Sequence, residues 1–235
     1  MEGFEGYVGI WLRDEQLVND VVFSLLFVLF ILFALVFHAN YPLFMKMIRD
    51  VFYVKERLSL FEDIDGNETL FRSIMVFQGL ALCSLFFFII GRAYGQIRDY
   101  PDMGMNLLII GVIFMILFIF YLFKQFLYKL TGFIFVSPEA YKTWRIGYTA
   151  SLGSWGVLLY FPVVCLAFTE VATGAACVLF LLFYLLWRLI IIHKTISIFN
   201  TKVVGFLYII LYLCAQEISP LIFLYGGLNY LYNFY

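Results

Sequence analysis

Hydrophobic and polar positions in this chain alternate by whole segments rather than residue by residue. Six runs with little or no charge, at about residues 21–37, 73–91, 103–123, 146–169, 171–192 and 203–235, are separated by stretches that carry nearly all the charge. About 20 apolar residues cross a bilayer as a helix, so each run predicts a span. The expected fold is all-α: a polytopic bundle of six transmembrane helices, forming one integral membrane domain over residues 1–235.

The last run is the unusual one. It reads Val203 to Gln216, then Glu217, Ile218, Ser219 and Pro220, then apolar and aromatic residues to Tyr235. Its 33 residues would make a helix of roughly 50 Å. The sequence predicts one long helix kinked near Pro220, whose ring removes an internal hydrogen bond. The alternative is a re-entrant pair of half-helices, which needs cover from protein or water. An ionised Glu217 at that depth is costly unless it is paired, neutral or wetted. Gln216 and Ser219 add polarity around it. A cation could serve as partner: Arg92 lies at the outer end of the second span, and Arg188, in the fifth, can snorkel toward the headgroups. Glu217, Gln216, Ser219, Pro220, Arg92 and Arg188 are therefore the functional candidates. A structural polar clamp and a proton- or substrate-binding acid are both open readings.

The stretch of about residues 41–72 is the only long connection. Leu43, Met47, Ile48, Val51 and Leu58 recur at helical spacing, with Lys46, Arg49, Lys55 and Arg57 between them. That pattern suits a helix on the inner leaflet with its cations at anionic headgroups, or a solvated amphipathic connector. The acidic stretch Glu62 to Glu68 lacks the glycine and the terminal acid of a calcium loop, and reads as a plain loop. In the fourth span Gly147, Ser151, Gly153, Ser154 and Gly156 form a small-residue patch of the kind that lets helices approach closely. Ser137-Pro138-Glu139 ahead of it is a helix start. Gln78 predicts a hydrogen bond between helices.

Charge sets the orientation. Twelve of the fifteen Lys and Arg residues fall on one side of the alternating spans. The positive-inside rule makes that side cytoplasmic and places both termini in the periplasm of a bacterial inner membrane. The composition, 64% hydrophobic and 13% charged, is itself that of a membrane protein. The acidic N-terminus is unlike a cleaved signal peptide, so the first run reads as a retained span. Cys83, Cys165, Cys177 and Cys214 lie in apolar runs without metal-binding spacing and read as small hydrophobes. His38 and His193, both at cytoplasmic span ends, are a weak alternative for a metal or haem. No cofactor is expected, and a net charge of −1 gives no case for nucleic acid.

The run Gly205 to Ala215, followed by Glu217 and Pro220, resembles the C-terminal signature of a Bacteroidetes multi-pass inner-membrane family, itself a domain of unknown function. Gln216 and Ser219 are more polar than that pattern. The resemblance implies a Gram-negative inner membrane and brings no activity, cofactor or substrate. No nucleophile–base pair, phosphate loop or zinc-protease motif is present. The expected role is a non-enzymatic subunit or scaffold of a cell-envelope assembly, surrounded by lipid and by other membrane or envelope proteins. The alternatives are a small proton-coupled transporter using Glu217 and a lipid-handling protein.

Overall fold

A computed structural model of the chain describes residues 14–52, 66–97, 103–135, 138–168 and 173–199. Seven helices follow one another: α1 (Asp14–Ala39), α2 (Tyr41–Phe52), α3 (Gly66–Ala93), α4 (Met103–Phe135), α5 (Pro138–Leu158), α6 (Tyr160–Phe168) and α7 (Thr173–Phe199). Five segments, 20–39, 66–93, 103–130, 141–168 and 173–197, are long and apolar enough to cross a membrane. They correspond to the first five runs read from the sequence. The sixth run, 203–235, with its expected kink near Pro220, lies outside the described residues.

The bundle is arranged around α3, which packs against α1, α4, α5 and α6. Its Leu82, Leu85, Phe86 and Phe88 are almost wholly enclosed, joined by Trp155, Leu159 and Val163 from the fourth span and by Ile191 from α7. By contrast α1, α4 and α7 show long rows of large apolar side chains, such as Phe27, Leu35, Ile116, Ile119, Leu182 and Leu189. In water such rows would be an aggregation hazard; in a bilayer they are the surface that meets lipid.

Helix-to-helix contact without a solvent-driven hydrophobic force depends on close approach, and small residues supply it. At the α3–α5 crossing Gly79 meets Gly156 backbone to backbone: a Cβ on Gly156 would lie 2.8 Å from the Gly79 Cα. A Cβ on Gly153 would lie 3.1 Å from the Met47 sulfur and 3.2 Å from the Met75 Cβ. Gln78, one residue before that crossing, donates to the Leu29 carbonyl (3.3 Å) and to the Tyr160 hydroxyl, tying α3 to α1 and α6.

Three features differ from the sequence expectation. The amphipathic helix α2 does not lie alone on a leaflet. Its apolar face is covered by protein, with Met47 and Val51 packed in a small core with Phe71, Met75 and Ala150. Second, α3 begins at Gly66, so part of the acidic stretch read as a loop is helical. Glu68 favours that start, because a carboxylate in the first turn complements the helix dipole and pairs with Arg72 one turn on.

The third difference is that the fourth span is broken, with Leu159 in a turn between α5 and α6. Pro162 explains the break. It has no N–H for the Leu158 carbonyl, and its ring crowds that oxygen. The flanking hydrogen bonds persist, from Leu159 N to Trp155 O at 3.1 Å and from Val163 N to Leu159 O at 3.2 Å. At the end of α3, Gly95 takes φ +68° and its N–H caps the Arg92 carbonyl at 2.9 Å, a left-handed helix stop.

Candidate functional site

The C-terminal end of α1, the N-terminal ends of α3 and α5, and the C-terminal ends of α4 and α7 lie toward one end of the bundle, and α2 packs there against α5. Two pairs of residues at helical i,i+4 spacing supply its chemistry: Lys46 and Asp50 on α2, Glu68 and Arg72 on α3. They pair crosswise. Lys46 Nζ contacts Glu68 Oε2 at 2.8 Å, and Arg72 Nη2 contacts Asp50 Oδ2 at 2.5 Å. Within α3, Arg72 also holds Glu68 Oε1 through Nη2 at 2.7 Å and Nε at 3.1 Å.

The guanidinium fork then reaches a third helix, donating from Nη1 to the Ile146 carbonyl of α5 at 2.9 Å. A fourth helix enters through Lys194 of α7, whose Nζ donates to the Asp50 backbone carbonyl. Beside it Trp144 Nε1 donates to Thr195 Oγ1 at 3.1 Å, another α5–α7 tie. One arginine, planar and rich in donors, thus joins α2, α3 and α5, with Lys194 adding α7. The Glu68 and Arg72 side chains are each only 7% exposed, so their pairing is made away from water. Three cations and two carboxylates leave a net charge of +1. With its carboxylates committed to fixed ion pairs, the arrangement joins helices rather than presenting a free acid or base.

A second polar feature lies further along the bundle. Lys124 of α4 is buried, with its ammonium 5.5 Å from the centre of the Tyr128 ring. Arg188 of α7 lies 4.7 Å from the Trp187 ring and 5.0 Å from that of Tyr184, and its Nε donates to the Tyr184 hydroxyl at 2.9 Å. Between the two helices runs a ladder of rings on α5. Trp155 stacks on Trp187 at 5.0 Å, Trp144 stacks on Tyr148 at 5.2 Å, and Tyr128 packs edge-on to Trp144 at 4.8 Å. Cations over aromatic faces are attracted by the ring quadrupole, more strongly where water is excluded.

The sequence-derived candidates are distributed as follows. Gly147 faces the Lys194 ammonium, which would lie 3.0 Å from a Cβ there; Gly153 and Gly156 face α2 and α3. Ser151 and Ser154 donate back to the Gly147 and Ala150 carbonyls, at 2.8 and 2.9 Å. Arg92 sits in the last turn of α3, at the opposite end from the ion pairs, and Arg188 stands on the aromatic ladder. His38 and His193 are both exposed. Among the described residues no three His, Cys, Asp or Glu side chains form a group that could hold a metal ion. Among the described residues Cys83, Cys165 and Cys177 form no disulfide. Glu217, Gln216, Ser219, Pro220 and Cys214 lie outside the described residues.

Sequence reasoning missed the ion-pair end. Its signal was available as two opposite-charge pairs four residues apart, Lys46/Asp50 and Glu68/Arg72, the first of them on a stretch of helical periodicity.

Among the described residues, an all-helical bundle with five membrane-length segments and a buried ion-pair clamp at one end defines a polytopic membrane-type protein. More particularly, the chain belongs to the family described as Domain of unknown function (DUF4271), whose model matches residues 22–228. The match takes in the described bundle from α1 onward and continues past Pro220. No curated protein and no solved structure matches the chain.

Proposed function

We propose that this chain is a non-enzymatic, multi-pass subunit or scaffold of a cell-envelope assembly in a bacterial inner membrane. Both termini are then on the periplasmic side, and the clamp, lying at the Lys- and Arg-rich end, is on the cytoplasmic side. The resemblance of residues 205–220 supports a Bacteroidetes origin. One observation carries the scaffold reading: Arg72 ties three helices at once through Glu68, Asp50 and the Ile146 carbonyl. A scaffold needs fixed geometry, and Lys46, Asp50, Glu68, Arg72 and Lys194 hold helices together at this end. The glycine crossing of α3 and α5 adds to the same rigidity.

Affinity purification of the tagged chain from its native membrane in mild detergent tests this. A membrane or envelope protein co-purifying in stoichiometric amount is the expected result. A lone chain, recovered folded and without a partner, would remove the subunit reading.

The second reading is a small proton-coupled transporter or a lipid-handling protein acting through Glu217. It is favoured by charged side chains within apolar spans, Lys124 on α4 and Arg188 on α7, since charges at such depth often mark ion pathways. Glu217→Gln separates the two readings. A carrier loses its activity while the protein level in the membrane is kept. In a scaffold the partner still co-purifies with the variant, at whatever level of protein survives.

A further inference from the structure

Toward the end of the bundle opposite the ion pairs, α1, α3 and α4 partly enclose a cavity of about 280 Å³. Leu25 and Leu29 of α1, Phe77 and Ala81 of α3, and Leu107 and Phe114 of α4 form its walls. The one polar side chain in the lining, Ser84, gives its hydroxyl proton to the Ala81 carbonyl at 2.8 Å. The wall is therefore carbon almost throughout. An apolar cavity of about 150 Å³ stays dry and takes up benzene. This one is nearly twice that size, with room for a longer apolar guest.

Depth narrows the choice of guest. Counted from the span ends at Asp20 and Met103, Leu25 lies five residues deep and Leu107 four, or about 8 and 6 Å. Leu29 and Phe114, at nine and eleven residues, lie about 14 and 17 Å deep. The cavity thus runs from near one boundary to the middle of a hydrocarbon layer of about 30 Å. That is the depth of one leaflet.

The cavity also opens sideways. Val28, Phe77 and Leu107 in its wall are each about half exposed. Val28 and Leu107 belong to the apolar rows of α1 and α4 that meet lipid, so the mouth is continuous with that surface. Gly111 supplies room on α4, where a Cβ would meet nothing within 4 Å.

We propose that this cavity is a seat for one acyl chain of a phospholipid, drawn from the leaflet opposite the ion-pair end and held by shape. The carbon lining, the one-leaflet depth and the side opening onto lipid together select that occupant. A chain enters from the surrounding bilayer without leaving apolar surroundings, and inside it touches three helices instead of one exposed face.

The test is photolabelling of the purified protein in vesicles of phosphatidylethanolamine and phosphatidylglycerol. A small share of the phosphatidylethanolamine carries a diazirine on one acyl chain, and labelled residues are mapped by mass spectrometry. Label is expected to concentrate on Leu29, Ala81 and Phe114, well above its level at Leu182 and Leu189 on the exposed face of α7. Gly111→Phe places a ring in the cavity. It should cut the label at Ala81 roughly tenfold, the affinity carried by about two buried methylenes, and leave the α7 label unchanged. Gly174→Phe, at an equally open position on α7 outside the cavity, should leave the Ala81 label as it was. Should Gly111→Phe fail to accumulate, Leu107→Trp fills the same space from the exposed rim.

Label at the cavity no greater than at Leu182 and Leu189 would mean ordinary surrounding lipid and would overturn the seat. So would label that filling the cavity does not change. Leu29, Ala81 and Phe114 left unlabelled would show that protein covers the site, which also overturns it. The vesicles hold no partner protein, so failure here is distinguishable from failure of the subunit reading.

Discussion

Arg72→Met is expected to destabilise the bundle by about 3–5 kcal/mol, the cost of removing one partner from a buried ion pair. The side chain is 7% exposed and holds Glu68 and Asp50 as well as the Ile146 carbonyl. Its loss leaves two carboxylates with their main counter-charge gone and removes the hydrogen bond that ties this corner to the Ile146 carbonyl of α5. Unfolding of the purified protein in mixed micelles reads the effect directly. Lys46→Met serves as the comparison. That lysine side chain is 41% exposed, so its pair with Glu68 should contribute no more than about 1 kcal/mol.

A third variant, Arg72→Met combined with Glu68→Gln and Asp50→Asn, should recover most of the lost stability, since it removes the stranded charges together with the cation. Equal effects of Arg72→Met and Lys46→Met would show that the corner is held by packing and not by charge.

Gly156→Val is the second large change. The atoms nearest the new Cβ are the Gly79 Cα at 2.8 Å and N at 3.3 Å, and the Met75 carbonyl oxygen at 3.4 Å. All three belong to backbone, so no flexible side chain can yield, and the two helices must separate. Overpacking of a close core typically costs about 1–3 kcal/mol, and here the upper end or beyond is expected because each added atom pushes on a helix axis. Gly111→Val on α4 is the control, since a Cβ there meets nothing within 4 Å. The amount of folded protein after detergent extraction should fall sharply for the first and little for the second. Similar losses for both would mean that the crossing tolerates a wider spacing.

Much of this architecture was legible from hydropathy alone, for a plain physical reason. A bilayer fixes the length of apolar sequence that crosses it, and residues 103–123 or 171–192 can hardly satisfy that demand in another way. The patch from Gly147 to Gly156 was legible too, because small residues at helical spacing announce close approach without naming the partner; Gly79 of α3 had to come from the structure. Cross-helix electrostatics were the hidden part. Glu68 sits in a run of acids that reads as solvated loop, and Arg72 among cations that read as a positive-inside signal. Their burial follows from α2 packing back against α3 and α5, a tertiary event with no local signature. Pro162 was overlooked in the same way. It lies within an uninterrupted apolar run, whereas Pro220 stands beside a glutamate that draws the eye.

The broken fourth span has a consequence for how this molecule sits in its bilayer. Its segment and that of α3 each cover 28 residues, against 20 for α1 and 25 for α7. Straight and upright they would extend about 42, 30 and 37 Å respectively, across a hydrocarbon layer of about 30 Å. Helices of such unequal length must tilt or bend to share one slab. Because α2 and α3 are joined by ion pairs at one end, and α5 and α7 are tied to them there by hydrogen bonds from Arg72 and Lys194, the mismatch collects at the other face. There Pro162 leaves the Leu158 carbonyl without its helical donor, a weak point between α5 and α6, while the Leu159–Trp155 and Val163–Leu159 hydrogen bonds keep the two joined. The bend in the fourth span thus lies away from the ion-pair end, where it takes up part of the difference in length between neighbouring helices.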